Sequence, residues 1–140
     1  KLPKIANVFN RDGGPEPPVG ISVPQAMYDD FVKISEPIQK IRPDYPFEVK
    51  VREPRKRPTR MGGTDASVFA IEGVPTLGFT TEDFKGYDFD YGEIWHTERD
   101  LYTKNIPEYQ EHTATVTAII ALGVANLDKQ LSREGLYTEE

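Results

Sequence analysis

The sequence predicts an α/β fold: a mostly parallel sheet flanked by helices, forming part of a three-layer sandwich. Short β-prone runs alternate with segments of helical spacing, breaker clusters separate them, and the chain closes on one long apolar helical stretch. With 140 residues it suits one domain, 1–140, with one core.

IANVF at 5–9 is short, apolar and β-prone, and it stops at Asn10, Asp12, Gly13, Gly14, Pro15, Pro17 and Pro18. It reads as a buried strand. GISVP at 20–24 offers a second strand or bridge, and Pro24 suits a first helical turn, where a missing N–H costs nothing. Met27, Phe31, Ile34, Ile38 and Ile41 then step by four, three, four and three, the spacing of one helical face, with Pro37 as a kink or break. FEVKV at 47–51 alternates as a half-exposed edge strand does.

Six basic residues lie between Lys50 and Arg60, interleaved with prolines, so this stretch is an extended loop. A phosphate track would look similar, but no aromatics interleave, and a solvated loop is the better reading. Thr64 or Asp65 can cap the helix ASVFAIEG, which ends at Gly73 in the usual C′ place for glycine. VPTLGF at 74–79 reads as another buried strand. An aromatic loop with Phe84, Tyr87, Phe89 and Tyr91 either lines a substrate side-chain pocket or covers the core. From Pro107 a helix is expected to about Leu131, too apolar in its middle to be one-sided and therefore largely buried. His112, near its start, is expected on the helix surface. There is no internal repeat and no low-complexity tract.

Composition narrows the function. Seventeen Lys and Arg against 23 Asp and Glu give a formal net charge of -6, which argues against general affinity for nucleic acid or anionic membrane. Without cysteine there is no disulfide and no zinc–thiolate site. The longest strongly apolar stretch, 118–127, is about half the roughly 20 residues that span a bilayer. No signal peptide pattern is present at the N-terminus. Only two histidines are available for metal binding or proton transfer near neutral pH, His96 and His112. In parallel sheets ligands gather beyond the carboxyl ends of strands; Asp12 follows the first expected strand and His96 follows or ends the last, so one rim can carry both.

The order VFNRDGG, GGTDASVFAIEGVPTLGF, WHTERD and a long closing helix resembles the C-terminal half of the co-catalytic zinc aminopeptidases, a family with bacterial leucyl aminopeptidases and glutamate carboxypeptidase-like enzymes. The match runs over nearly the whole chain. It implies that Asp12 binds one zinc and His96 the other, with Asp100 closing the HTxxD motif and supporting the loop or orienting the imidazole. Ala66 stands where many members have His. By the same resemblance the remaining ligands and the general-base Glu come from sequence upstream of the Asp12 motif. The chain is then the C-terminal part of a zinc exopeptidase that cleaves peptides with a two-zinc-activated water, periplasmic or extracellular, and inactive alone with low zinc occupancy.

Outside the family context, His96 would be an ordinary hydrogen-bonded residue and Asp12 a turn former. Asp65 is a helix cap or a substrate contact. Arg60 can reach the pocket and pair with a peptide carboxylate. Trp95 and Tyr91 flank the site. Two other readings stand beside the peptidase: an acyltransferase of the glutaminyl cyclase type, which also carries Trp before HT, and a non-catalytic scaffold or interaction domain. Lacking upstream strands, the chain is also expected to self-associate through an open sheet edge.

Overall fold

A computed structural model describes residues 2–138. Among them the regular elements are three strands, β1 (Pro18–Val23), β2 (Glu48–Val51) and β3 (Phe79–Thr81), and four α-helices, α1 (Tyr28–Ile41), α2 (Ser67–Ile71), α3 (Tyr91–Ile94) and α4 (Pro107–Ala125), with three short 3-10 turns. The strand order is β2-β1-β3. β1 pairs with β2 in parallel and with β3 antiparallel, with an irregularity between Pro18 and Gly20. The fold is α/β, but the sheet is mixed where a mostly parallel one was expected.

The helical stripe read from the sequence is the core. Met27, Phe31, Ile34 and Ile38 meet Ile21 and Val23 of β1, Val116 and Ile120 of α4, and Leu77, Leu131 and Leu136. Full burial of such side chains is worth about 1.5–3 kcal/mol each, which makes this one cluster the main source of stability. Pro37 lies inside α1 without ending it. A Cβ on Gly123 would run into the Ile34 side chain, so α1 and α4 approach closely at a point that a glycine keeps open.

One helical layer covers the sheet. By the two-residue period of strands, Ile21, Val49 and Phe79 face α1 and α4, while Ser22, Glu48, Lys50 and Thr80 face away. Two layers, not three, are therefore present among the described residues.

Four further expectations are corrected. Residues 5–9 form no strand: Val8 N–H donates to the Pro75 carbonyl (2.9 Å) and Asn7 Oδ1 accepts from the Leu77 amide (2.9 Å), and Pro75 has no N–H with which to continue a ladder. For the same reason 74–78 is irregular and β3 begins only at Phe79, although Val74 and Leu77 are buried.

Neither Thr64 nor Asp65 caps α2 with its side chain. The N-cap is Ala66, and the Thr64 carbonyl accepts from the Ser67 amide. Gly73 does end the helix in the left-handed conformation (φ 73°). Finally, α4 stops at Ala125 and is one-sided after all. Tyr109, His112, Val116 and Ile120 are buried, while Ala114, Ala118, Ala121 and Ala125 are exposed and Leu122 is 64% exposed.

The basic loop is structural. Arg55 donates to Thr76, Arg57 to the Ile71 carbonyl at the end of α2, and Arg52 points at the Leu136 carbonyl. Guanidinium donors here satisfy backbone oxygens that regular structure leaves free, which is why the sequence tolerates so many irregular residues around them. No helix is long and apolar enough to cross a membrane among the described residues.

Candidate functional site

The Asn-Arg-Asp-Gly-Gly turn is shaped by its own arginine. Arg11 Nη2 donates to the carbonyls of Gly14 and Glu16, each at 2.6 Å, curling the loop so that Asp12 lies exposed at its crest. Gly14 has φ 76° and packs on aromatic rings: a Cβ there would lie 3.0 Å from Tyr91 Cδ2 and 3.1 Å from Phe89 Cε1. Glycine is thus needed at this position twice, for its backbone and for its size.

The second motif is built from α3. Asp90 caps it, its Oδ1 accepting from the Gly92 amide (2.8 Å), and Ile94 buries the inner face. The chain then reverses at His96, whose φ of 56° is left-handed, an uncommon state for a residue with a Cβ that costs on the order of 1 kcal/mol or more. Thr97 holds the reversal: its Oγ1 donates to the carbonyl of Ile94 (2.9 Å) or Glu93 (3.0 Å) and accepts from the Arg99 amide (3.2 Å). The Asp100 amide closes the turn on the Thr97 carbonyl (3.2 Å). His-Thr is therefore a physical unit, in which the hydroxyl secures the backbone that presents the imidazole.

The rings add a second restraint. Trp95 stacks on His96 (4.3 Å between centroids, 20° between planes), and Tyr91 stacks on Trp95 (6.4 Å, 26°). Trp95 is nevertheless 55% exposed. Tyr91 O–H also donates to the Asp12 carbonyl at 3.4 Å, a long bond that ties the two motifs together.

Asp12, Tyr91, Trp95, His96 and Asp100 all line one open cleft of about 1100 Å³. Of the residues singled out from the sequence, Arg60 and Asp65 are absent from its walls, although Gly63 and Thr64 reach it. A second cavity of about 580 Å³ adjoins, sharing Ile94, Lys104 and Asn105 with the first. Within the aromatic loop, Tyr87 and Phe89 line this second cavity, whereas Phe84 stacks on the buried Tyr109 (5.8 Å, 28°).

The cleft offers two carboxylates, Asp12 and Asp100, and one imidazole, His96, all of the types zinc prefers. Among the described residues no three His, Cys, Asp or Glu side chains group closely enough to hold a metal ion. The donor set suits zinc in kind and is incomplete in number.

A polar cluster without a sequence motif of its own lies beside the second cavity. Glu108, in the first turn of α4, accepts from Tyr45 (2.9 Å), from Tyr87 and from Lys85. The Lys85 hydrogen bond, aided by Tyr45, holds the Glu108 carboxyl below its ordinary range, and the same bond raises Lys85. Tyr109 donates to Asp83 (2.7 Å) and accepts from the Lys85 amide (2.9 Å); burial first, then Asp83, pushes its phenol up to about 12. These bonds pin the 83–87 loop to α4.

His112 is fully buried, not on the surface, stacked on Tyr45 (4.0 Å, 22°) with Nε2 3.1 Å from the Pro18 carbonyl. Nε2 therefore carries the proton and donates. The usable signal was Tyr109, His112, Val116 and Ile120 at spacings of three, four and four, one face of a helix.

Burial, with smaller contributions from Arg42 and Lys85, lowers the His112 pKa below its ordinary 6.5, against the pull of the Pro18 hydrogen bond. As pH falls below about 6.5 the unfolded chain takes up this proton before the folded one does. The stabilisation is thus complete above about 6.5 and is lost as pH falls through the lower folded value. Urea midpoints are expected to drop between pH 7.5 and pH 5.5, and His112→Gln should lower the midpoint at pH 7.5 while flattening that dependence. An equal slope in the variant would place the acid sensitivity elsewhere.

No family model, curated protein or solved structure matches the chain.

Proposed function

We propose that the chain is the C-terminal part of a zinc-dependent exopeptidase of the aminopeptidase type, with Asp12 contributing an oxygen to one zinc and His96 a nitrogen to the other. One observation carries the reading: two motifs remote in sequence, each of a form used by that family, line a single cleft with Asp12 and His96 and are joined by Tyr91.

The rest of the metal site, and the general-base Glu, are assigned to upstream sequence. A three-layer sandwich would require upstream helices on the sheet face that bears Ser22, Glu48, Lys50 and Thr80. Bound zinc supplies an activated water and a polarised scissile carbonyl. The residues of this chain have simpler roles. Thr97 and the Trp95 ring hold the imidazole in place, Asp100 supports the turn from within the cleft, and the cleft takes the peptide. By family resemblance the protein acts in the periplasm or outside the cell.

The exposed Trp95 ring, stacked directly before the HT pair, keeps glutaminyl cyclase-type acyl transfer as a second reading. A protein extended upstream distinguishes the two. Two zinc ions per chain and hydrolysis of aminoacyl anilides are expected for the peptidase; one zinc and cyclisation of N-terminal glutamine would select the alternative. An extended, folded protein with neither metal nor either activity defeats both and leaves the scaffold reading.

A further inference from the structure

The β2 edge of the sheet lies apart from the residues assigned to the metal site. β2 pairs with β1 along one side, and among the described residues no strand lies on its other side. Residues 5–9 run past 75–77, and Phe9 stacks on Phe79 of β3 (5.9 Å). β2 is thus an edge strand among the described residues.

From the register and the residues we propose that this edge binds a second copy of the chain, by antiparallel pairing of β2 with β2 about a two-fold axis at Val49. Antiparallel pairing centred there places Glu48 opposite Lys50 of the second copy, Lys50 opposite its Glu48, Val49 opposite Val49 and Phe47 opposite Val51. Every cross-strand pair is complementary: two of opposite charge, one of β-branched residues and two aromatic–β-branched.

The groups are available for it. Glu48 and Lys50 are exposed, their only partner among the described residues being each other (3.1 Å), and Val51 is exposed as well. A lysine at a sheet edge ordinarily deters pairing; opposite a glutamate it favours one register. Pro46 and Pro54 bound the strand, which limits the ladder to a few residues and closes the assembly at two copies. So short an interface makes a weak dimer, populated toward millimolar concentration.

The experiment is sedimentation equilibrium of the 140-residue chain over a concentration series, with three variants at exposed positions that leave the core untouched. The wild type should dimerise, and added salt should weaken it. Glu48→Lys or Lys50→Glu alone sets like charges opposite each other and should weaken the dimer about tenfold. The double variant E48K/K50E restores opposite charges and should recover wild-type association. A monomer at all concentrations overturns the proposal. So does a dimer indifferent to the single variants, which uses another surface, or a double variant as weak as the singles, which excludes this register.

Discussion

Gly20→Ala is expected to destabilise the fold by about 1–3 kcal/mol, the range for forcing a methyl group into a packed interior. Gly20 sits in the central strand, in register with Glu48 of β2. A Cβ there would overlap the Glu48 backbone carbonyl oxygen and approach the carbonyl carbon to 3.4 Å and the amide nitrogen to 3.5 Å. Because the obstacle is backbone, no rotamer change relieves it; β1 and β2 must separate, weakening the parallel ladder and lifting α1 from Ile21 and Val23.

The opposing effect is smaller. Alanine restricts the unfolded chain more than glycine does, which favours folding by about 0.4–1 kcal/mol. Gly78 supplies the control, since a Cβ there meets nothing within 4 Å. Gly78→Ala should be neutral or slightly stabilising, while Gly20→Ala lowers the urea midpoint and the melting temperature. Equal midpoints for the two variants would mean that β1 and β2 are not held at this distance.

What the sequence disclosed and what it concealed differ in kind. The α1 stripe, the alternating β2 edge, the proline that opens α4 and the glycine that ends α2 are local signals, each with its cause within a few residues. Strand direction is not local. Nothing in VPTLGF states that Phe79–Thr81 runs antiparallel to β1, because alternation and β-propensity are the same in either direction. Burial of α4 is not local either: its composition asks for cover on every side, and the described residues provide it only along Tyr109, His112, Val116 and Ile120. The Glu108 cluster was invisible because Tyr45, Lys85 and Tyr87 reach it from separate loops. Asp12 and His96 were legible as candidates through motif order, whereas the Tyr91 link between them needed coordinates.

That link makes the sharpest functional test a comparison at the cleft. In the upstream-extended protein, His96→Ala and Asp12→Ala are each expected to lower zinc affinity or turnover by at least about a hundredfold, since losing even a group that only orients a ligand costs about 10–100-fold. Each variant should lose one zinc and retain the other more weakly, because the two residues serve different ions in the proposed site. Trp95→Ala tests a separate point. Its ring restrains the imidazole without donating to metal, so turnover should fall by no more than the lower figure while two zinc ions remain. Asp12, Trp95 and His96 are all exposed and outside the core, so the variants should keep the wild-type urea midpoint, and the loss is then chemical and not a failure to fold. Full activity in either His96→Ala or Asp12→Ala would remove that residue from the metal site and, with it, the reason for placing the chain in a zinc peptidase.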